Sequence, residues 1–464
     1  MSTRDGAIAR AHAEFDDGTY LEDLARRVAI PTESQVPEMA GELHRYQTDE
    51  MIPSFAALGF ETTLIENPVA DRGPVLVASR IEDPARPTVL IYGHGDVVRS
   101  IASEWTGGHD PYAMRLDGDK IYGRGVVDNK GQHSLAMSAL KSVMAERGGN
   151  LGFNAKFMVE TGEEQGSPGL EQIILENKDL LAADLFIGFD GPRKSFSRMD
   201  MNLGCRGGFF LDMVVDLGRH GGLHSGHWGG VLPDAGIILT QALATVTDAK
   251  GRILIDDWKP RQVPPAVMEA AANLVADPVP GTPEPDPDWG EPGLTHYQKT
   301  LAWTSFIVLA YVTGNPDNPV NSVPSTARAR CQLRHTVDTD HTAFAPALRA
   351  HLDAHGFEQV QVETEVGRDR FMASRTDPNH PWVKWVKASI ERTMGVAPNV
   401  MPGSSGSNPS EMFRANLDVP VIWLPHSYAG CNQHGADEHG LGSLFREGLG
   451  VTAALFWDLG EHGT

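Results

Sequence analysis

The chain has 464 residues, which at roughly 100–200 residues per domain is enough for two or more domains with a sizeable buried core. Its 39 Lys and Arg stand against 61 Asp and Glu, a net charge of -22, which argues against binding to nucleic acid or to an anionic membrane surface. Three cysteines (Cys205, Cys331 and Cys431) make no disulfide framework and lack the close spacing of a zinc-thiolate site, so a reducing, cytoplasmic setting is expected.

The first segment carries Glu14, Asp16 and Asp17 rather than the apolar core of a secretory signal, and no apolar run approaches membrane-spanning length. Thr88 to Tyr92 reads as a buried strand that ends in Gly93-His94-Gly95-Asp96. Gln132 to Glu146 spaces Leu135, Ala139, Leu140, Val143 and Met144 as a helix does. Ala155 to Val159 is a second strand, followed by Glu160-Thr-Gly-Glu163-Glu164-Gln-Gly166. Ser167 and Pro168 suit a helix N-cap and first helical position. Leu185 to Gly188 is a third strand, ending near Asp190. This alternation predicts an α/β fold, a mainly parallel sheet with helices on both faces.

The pattern changes after about residue 203. A half-buried strand carries Phe209, Leu211, Met213, Val215 and Leu217, and a helix follows over roughly Asp234 to Thr247. Strands are expected at Phe306 to Val312 and Ala327 to Leu333, the latter with Ala327, Ala329, Cys331 and Leu333 on one face and Arg328, Arg330, Gln332 and Arg334 on the other. A helix near Thr342 to His355 and a strand near Gln359 to Val366 complete a β-α-β-β-α-β order, the ferredoxin-like pattern. The Pro-rich stretch 277–292 reads as a surface loop within it. Helix at Pro381 to Thr393, strand at Val419 to Trp423 and helix at Leu441 to Leu459 return to the α/β pattern. The expected division is a discontinuous catalytic domain, residues 1–202 and 367–464, with an inserted α+β domain at 203–366.

Five acidic or His positions follow these strand-like runs: His94, Asp128, the pair Glu163-Glu164, Asp190 and His434. Ligand sites of α/β sheets lie at the carboxyl ends of the strands, where such loops converge. Two His with several carboxylates suit Zn²⁺ or another borderline divalent ion, and two ions close together need a shared carboxylate. No strand-turn-helix Gly-x-Ser-x-Gly elbow supports a serine hydrolase.

The ordered set resembles the M20 metallopeptidases, the family of carboxypeptidase G2, carnosinase-like dipeptidases, acetylornithine deacetylase and succinyl-diaminopimelate desuccinylase. The resemblance rests on Gly93-His94-Gly-Asp96, Gly123-Arg-Gly-Val-Val-Asp128-Asn-Lys-Gly131, Glu160 to Ser167, His224-Ser-Gly226 with Gly229-Gly230, and His434-Gly-Ala-Asp-Glu438. It implies His94, Asp128, Glu164, Asp190 and His434 as ligands of two Zn²⁺ ions, with Mn²⁺ or Co²⁺ as alternatives. Asp128 bridges in that scheme and is followed by a cis peptide; Asn129 stands where many relatives have Asp or Met. Asp96 resembles the carboxylate that orients the first imidazole. Glu163 resembles the general base that moves a proton from the attacking water to the leaving nitrogen. Glu438 is a typical family residue without an assigned role.

The resemblance makes the inserted domain a lid and dimerisation domain. His224 matches a histidine that reaches the partner's active site in many relatives and stabilises the oxyanion. Arg334 stands where the family binds the substrate carboxylate, and Gly406 and Ser407 belong to a loop beside the substrate. His109, His133, His335, His426 and His439 carry no motif and read as structural. The expected activity is hydrolysis of an amide bond in a small carboxylate-bearing substrate by a homodimer. Asp at position 190 leans toward a dipeptidase or aminopeptidase; an N-acyl-amino-acid deacylase is the alternative, a carbamoyl-amide hydrolase a third, and a catalytically silent metal-bound scaffold the non-enzymatic one.

Overall fold

The computed structural model describes residues 2–219, 223–279, 283–364 and 372–462. Two sheets organise it. The larger has eight strands: β1 (Glu61–Ile65), β2 (Val75–Arg80), β3 (Thr88–His94), β4 (Asn154–Glu160), β5 (Leu185–Gly188) and β6 (Asp200–Asn202), with two more strands from the C-terminal part of the chain. The smaller has four: β7 (Gly207–Asp216), β8 (Ser305–Val312), β9 (Thr326–His335) and β10 (Val360–Thr364). The last strands of the large sheet are β11 (Asn399–Met401) and β12 (Val421–Trp423), and its order is β1-β2-β4-β3-β5-β12-β6-β11.

The centre of the large sheet is parallel, as expected: β3 pairs with β4 and β5, and β5 with β12. One edge is antiparallel, since β1 pairs with β2 and β2 with β4 in that sense. Alternation along β3 explains why both faces are covered. Val89 and Ile91 enter one core with Phe157 and Ile187, while Leu90 and Tyr92 enter another with Met158, Phe186 and Trp423. Helix α1 (Arg4–Asp16), α2 (Lys130–Glu146) and α3 (Gly442–Glu461) pack together over the first face. In the N-terminal helix, Ala7 and Ala11 are small enough to sit fully buried on the closing helix.

The small sheet has its own core, built from Leu211, Met213, Val215, Ala329, Cys331 and Leu333 with helices Ala235–Val246 and Phe344–Ala354. Numbered within this unit, its strand order 4-1-3-2 is that of a ferredoxin-like sheet, and every pairing is antiparallel. Asp234 caps the first helix by accepting from Ile237 N at 3.1 Å. The end of the expected strand 359–366 lies outside the described residues beyond Thr364, as does the 366/367 boundary. Residues 280–282 of the Pro-rich stretch are also outside them.

One expectation needs correction. Ser167 does not open a helix: it has φ of 50°, and the helix begins at Leu170 behind Gly169, whose φ is 83°. The Ser167 hydroxyl is engaged instead by the Glu160 carboxylate at 2.9 Å.

Candidate metal centre and active site

The register of the large sheet brings the acidic loops to one level. His94 pairs with Glu160, and Tyr92 with both Met158 and Gly188, so β3, β4 and β5 end together. His94 closes β3, Glu163 and Glu164 lie in a turn just past β4, and Asp190 lies two residues past β5. Asp128 precedes α2 and is joined to Asn129 by a cis peptide bond, as the resemblance implies.

These residues form two groups that share one member. His94, Asp128 and Asp190 make the first, and Asp128, Glu164 and His434 the second; the donor atoms of each lie within 4.8 Å of one another. His94 Nε2 is 3.0 Å from Asp128 Oδ1 and 3.8 Å from Asp190 Oδ2. On the other side, His434 Nε2 is 2.9 Å from Asp128 Oδ2 and 3.2 Å from Glu164 Oε2. Each oxygen of Asp128 thus faces a different imidazole.

A surrounding set of hydrogen bonds fixes these groups. Asp96, fully buried, accepts from the backbone N–H of Glu163 and of Glu164, both at 3.2 Å, and from Ser34 Oγ at 2.7 Å. Its Oδ1 lies 3.4 Å from His94 Nδ1, and its backbone carbonyl is 3.0 Å from the same nitrogen. Asp96 therefore ties the Glu163-Glu164 turn to the His94 ring. Asn129 links two strand ends: its Nδ2 donates to Phe189 O at 2.5 Å, and its Oδ1 accepts from His94 N at 3.3 Å. A carboxylate there offers no donor for Phe189, so the amide at this position has a structural use. His133, buried behind it, bonds Tyr46 Oη at 2.6 Å and lies 3.2 Å from Asn129 Oδ1.

Glu438 gains a role from the structure. Its Oε2 accepts from Arg124 Nη1 at 2.6 Å, and its Oε1 faces the N–H groups of Gly125, Val127 and Asp128. Arg124 in turn donates to the carbonyls of His434 and Gly435, at 3.4 and 2.9 Å. The loops carrying Asp128 and His434 are locked together by this buried pair. Gln433, unmarked in the sequence, also donates to Asp128 Oδ2, at 2.5 Å.

Crowding of carboxylates sets the electrostatics. Burial, then the Asp128 charge, pushes Glu164 up to about 7 and Asp190 to about 6. Burial lifts Glu163 well above the carboxylate range; the charges of Asp190, Glu164 and Asp128 add to this, and His94 opposes it. Asp128 is held far below its ordinary value, because its close pairing with the His434 and His94 imidazoles outweighs its burial. The same contacts raise His434 to about 11, and raise His94 against the penalty of its own burial.

The donor set fits a pair of divalent cations. His94 Nε2 is buried and, though close to Asp128, is not aligned in a hydrogen bond; Glu164 Oε1 is likewise buried without a partner. Three carboxylates are forced toward their neutral forms, a cost that positive ions remove. Two imidazoles and three carboxylates, one of them shared, are the hard and borderline donors that such ions take.

The remaining candidates lie elsewhere. His224 caps the short helix Ser225–Trp228 on the inserted unit, its Nδ1 accepting from Gly226 N at 3.1 Å; it is exposed, and its ring faces His227 at 4.6 Å. Within one chain it is not part of either ligand group. Its neighbour His220 lies outside the described residues. Arg334 Nη1 donates to Ser407 Oγ at 2.9 Å, and Ser407 donates on to the Arg206 carbonyl at 2.9 Å, so the two sequence candidates meet. A Cβ at Gly406 would meet nothing within 4 Å among the described residues. Arg206, absent from the sequence reading, lies beside them; its mark in the sequence was a lone Arg between Cys205 and Gly207 at the entry to β7.

Known proteins resemble this chain in sequence and in fold. Residues 90–457 match peptidase family M20/M25/M40. The chain is 27% identical over 434 residues to the cysteinylglycine-S-conjugate dipeptidase of Corynebacterium striatum, covering 90% of each. It is 24% identical over 411 residues to the β-Ala-His dipeptidase of Mus musculus, covering 84% of this chain and 80% of that one. Among solved structures, human carnosine dipeptidase 1 superposes with a TM-score of 0.74 at 21% identity, covering 99% of both chains. The dipeptidase Dug1p of Saccharomyces cerevisiae also scores 0.74, at 20% identity and full coverage of both. The chain belongs to peptidase family M20/M25/M40 and is a hydrolase of the metallopeptidase type.

Proposed function

We propose that this chain is a two-metal dipeptidase acting on small peptides with a free carboxylate. The observation that carries the reading is Asp128, whose two oxygens face His94 on one side and His434 on the other. His94, Asp128 and Asp190 would hold one ion, and Asp128, Glu164 and His434 the other, with zinc as the metal. When bound, such a pair of ions activates water and polarises the scissile carbonyl.

The protein's own groups then supply orientation and proton transfer. Glu163 takes the proton of the attacking water and delivers it to the leaving nitrogen; its raised affinity for a proton suits it to hold one between those steps. Asp96 fixes the backbone of Glu163, and so the reach of its carboxylate. Arg334, steadied by Ser407, takes the substrate carboxylate through its guanidinium. Gly406 leaves the loop open to the substrate.

His224 completes the site of a second copy in a homodimer. The edge strand β8 supports such an assembly, since Ile307, Val308, Leu309, Tyr311 and Val312 are all exposed along it. The catalytic unit comprises residues 1–202 and 367–464 and the dimerisation unit 203–366, each with its own core. Three free, buried cysteines fit a cytoplasmic location.

The dipeptidase reading is preferred to N-acyl-amino-acid deacylation by Asp190 and by the dipeptidases among the relatives. A mass-spectrometric screen of the zinc-loaded protein tests it, with α- and β-linked dipeptides, N-acetyl, N-succinyl and N-carbamoyl amino acids, and Glu163→Gln as control. Cleavage of dipeptides is expected. Cleavage confined to the acylated compounds makes the protein a deacylase.

A further inference from the structure

The Pro-rich insertion does more than decorate the surface. Together with the start of β8 it encloses a cavity of about 620 Å³, whose wall includes Arg206, Ile253, Trp289, Trp303, Phe306 and Ile307. The insertion is held in place from below: Lys299 Nζ donates to the carbonyls of Pro287 and Trp289, at 3.1 and 2.6 Å. Thr295 and Gln298 cap the short helix beneath it reciprocally.

Arg206 is the unusual member of this wall. It is only 7% exposed, and its Nε has no partner. Its other nitrogens make long contacts, to Ser305 Oγ at 3.3 Å and Ser405 O at 3.4 Å. Among the described residues no carboxylate pairs with Arg206 or with Arg334; burial, then the Arg334 charge, brings Arg206 down to about 10, and burial lowers Arg334. A buried guanidinium, Arg206, beside a half-buried one, Arg334, neither with a counter-ion among the described residues, makes a place for an anion.

This anion site adjoins both the cavity and the catalytic sheet. Ser305, which Arg206 contacts, lies in the cavity wall and opposite Arg334 in the strand register. Toward the sheet, Tyr92 Oη donates to Glu160 at 2.5 Å, the Tyr92 ring packs on Trp423, and Trp423 Nε1 donates to Ser410 at the end of the same 405–410 loop. A carboxylate held at the guanidinium pair can therefore direct the group attached to it into the cavity. The apolar and aromatic wall suits a bulky ring. Asp286 and Glu291 share the wall with Lys299, and Glu291 pairs with Arg252 at 3.6 Å, so the wall favours an uncharged side chain over an ionic one.

We propose that the cavity receives the side chain of the substrate's carboxyl-terminal residue, that Arg206 joins Arg334 in binding its carboxylate, and that the site selects a neutral aromatic residue at that position. The proposal rests on the dipeptidase reading only for the identity of the substrate, not for the existence of the site.

Two measurements test it. Isothermal titration with 3-phenylpropionate and with propionate reads the site directly, without turnover. Steady-state kinetics of the zinc-loaded enzyme on Ala-Gly, Ala-Leu and Ala-Trp reads selectivity. Wild type is expected to bind 3-phenylpropionate at least tenfold more tightly than propionate and to favour Ala-Trp over Ala-Gly at least tenfold in kcat/KM. Trp303→Ala should erase both ratios, with Trp303→Leu used where the smaller residue impairs folding. Arg206→Met should weaken both acids at least tenfold, whereas Arg206→Lys should restore part of the loss. Equal binding of the two acids by wild type, or an unchanged preference in Trp303→Ala, overturns the proposal. Loss of 3-phenylpropionate binding in both variants, in a protein that cleaves no dipeptide, supports the site and removes the dipeptidase reading instead.

Discussion

Glu438 holds Asp128 by its backbone rather than by its side chain. One carboxylate oxygen of Glu438 receives the N–H groups of Gly125, Val127 and Asp128, at 3.0, 3.1 and 3.3 Å. The other receives Arg124, which reaches on to the carbonyl of His434. The residue four positions after one metal-ligand candidate thereby sets the position of the carboxylate shared by both groups.

Glu438→Gln should therefore weaken metal binding without touching a ligand. The amide keeps an acceptor but sets an N–H₂ against Arg124 or against the backbone donors, and such supporting contacts are worth about 10–100-fold in metal affinity. Glu438→Ala goes further, leaving Arg124 buried and unpaired, at a cost of about 3–5 kcal/mol. Chelator-competition titration and urea unfolding of the metal-free protein measure the two effects. Wild-type affinity in Glu438→Gln would mean that the loop keeps its shape unaided.

Glu163→Gln separates proton transfer from metal binding. The side chain lies beside the ligand groups without belonging to either, so both ions should remain at wild-type content. Turnover should fall by about 10²–10⁴-fold, the usual worth of a positioned base. Metal analysis and steady-state rates on the same sample decide this, and near-normal turnover refutes the base assignment.

The fold was largely legible because its signals are local. Alternation in Ala327 to Leu333 marks one buried face, and the structure leaves Ala327, Ala329, Cys331 and Leu333 almost without exposure. The ordered acidic motifs were legible because loops at strand ends must converge once the sheet is parallel. What escaped depends on pairs far apart in the chain. The pairings of Arg124 with Glu438, Gln433 with Asp128 and Arg206 with Ser405 join residues that nothing in their local sequence connects until the tertiary structure brings them together. Ser167 misled for a related reason: the left-handed Gly169 delays the helix, and the Glu160 carboxylate claims the Ser167 hydroxyl.

Metal binding should strengthen as pH rises through 6 to 7. Taking an ion requires Glu164 and Asp190 to be ionised and the His nitrogens free of their protons. With Glu164 at about 7 and Asp190 at about 6, an ion must displace protons at pH 5 that are mostly gone at pH 8. His434, raised to about 11, keeps its proton across that window and extends the climb above it. The metal-free protein moves the other way. Carboxyls with raised folded values stabilise the fold fully below their unfolded values and lose that contribution as pH rises through 6 to 7. The gap in Tm between metal-loaded and chelator-treated protein should widen from pH 5 to pH 8; a constant gap contradicts the protonation scheme.

The placement of His224 gives the sharpest test of assembly. It stands exposed on the inserted unit, outside both ligand groups of its own chain. If it serves the partner's site, His224→Ala and Glu163→Gln homodimers are both impaired for different reasons. In a mixed dimer, the His224→Ala chain keeps its own Glu163 and receives His224 from the Glu163→Gln chain, so one of its two sites is whole. Random exchange makes half the dimers mixed, and activity should recover to roughly a quarter of wild type on symmetric pairing. Denaturing and refolding the two variants together, then measuring turnover against each alone, reads this out. Sedimentation of the same mixture confirms the dimer. Recovery no greater than the sum of the separate variants would place His224 in its own chain's site or in none.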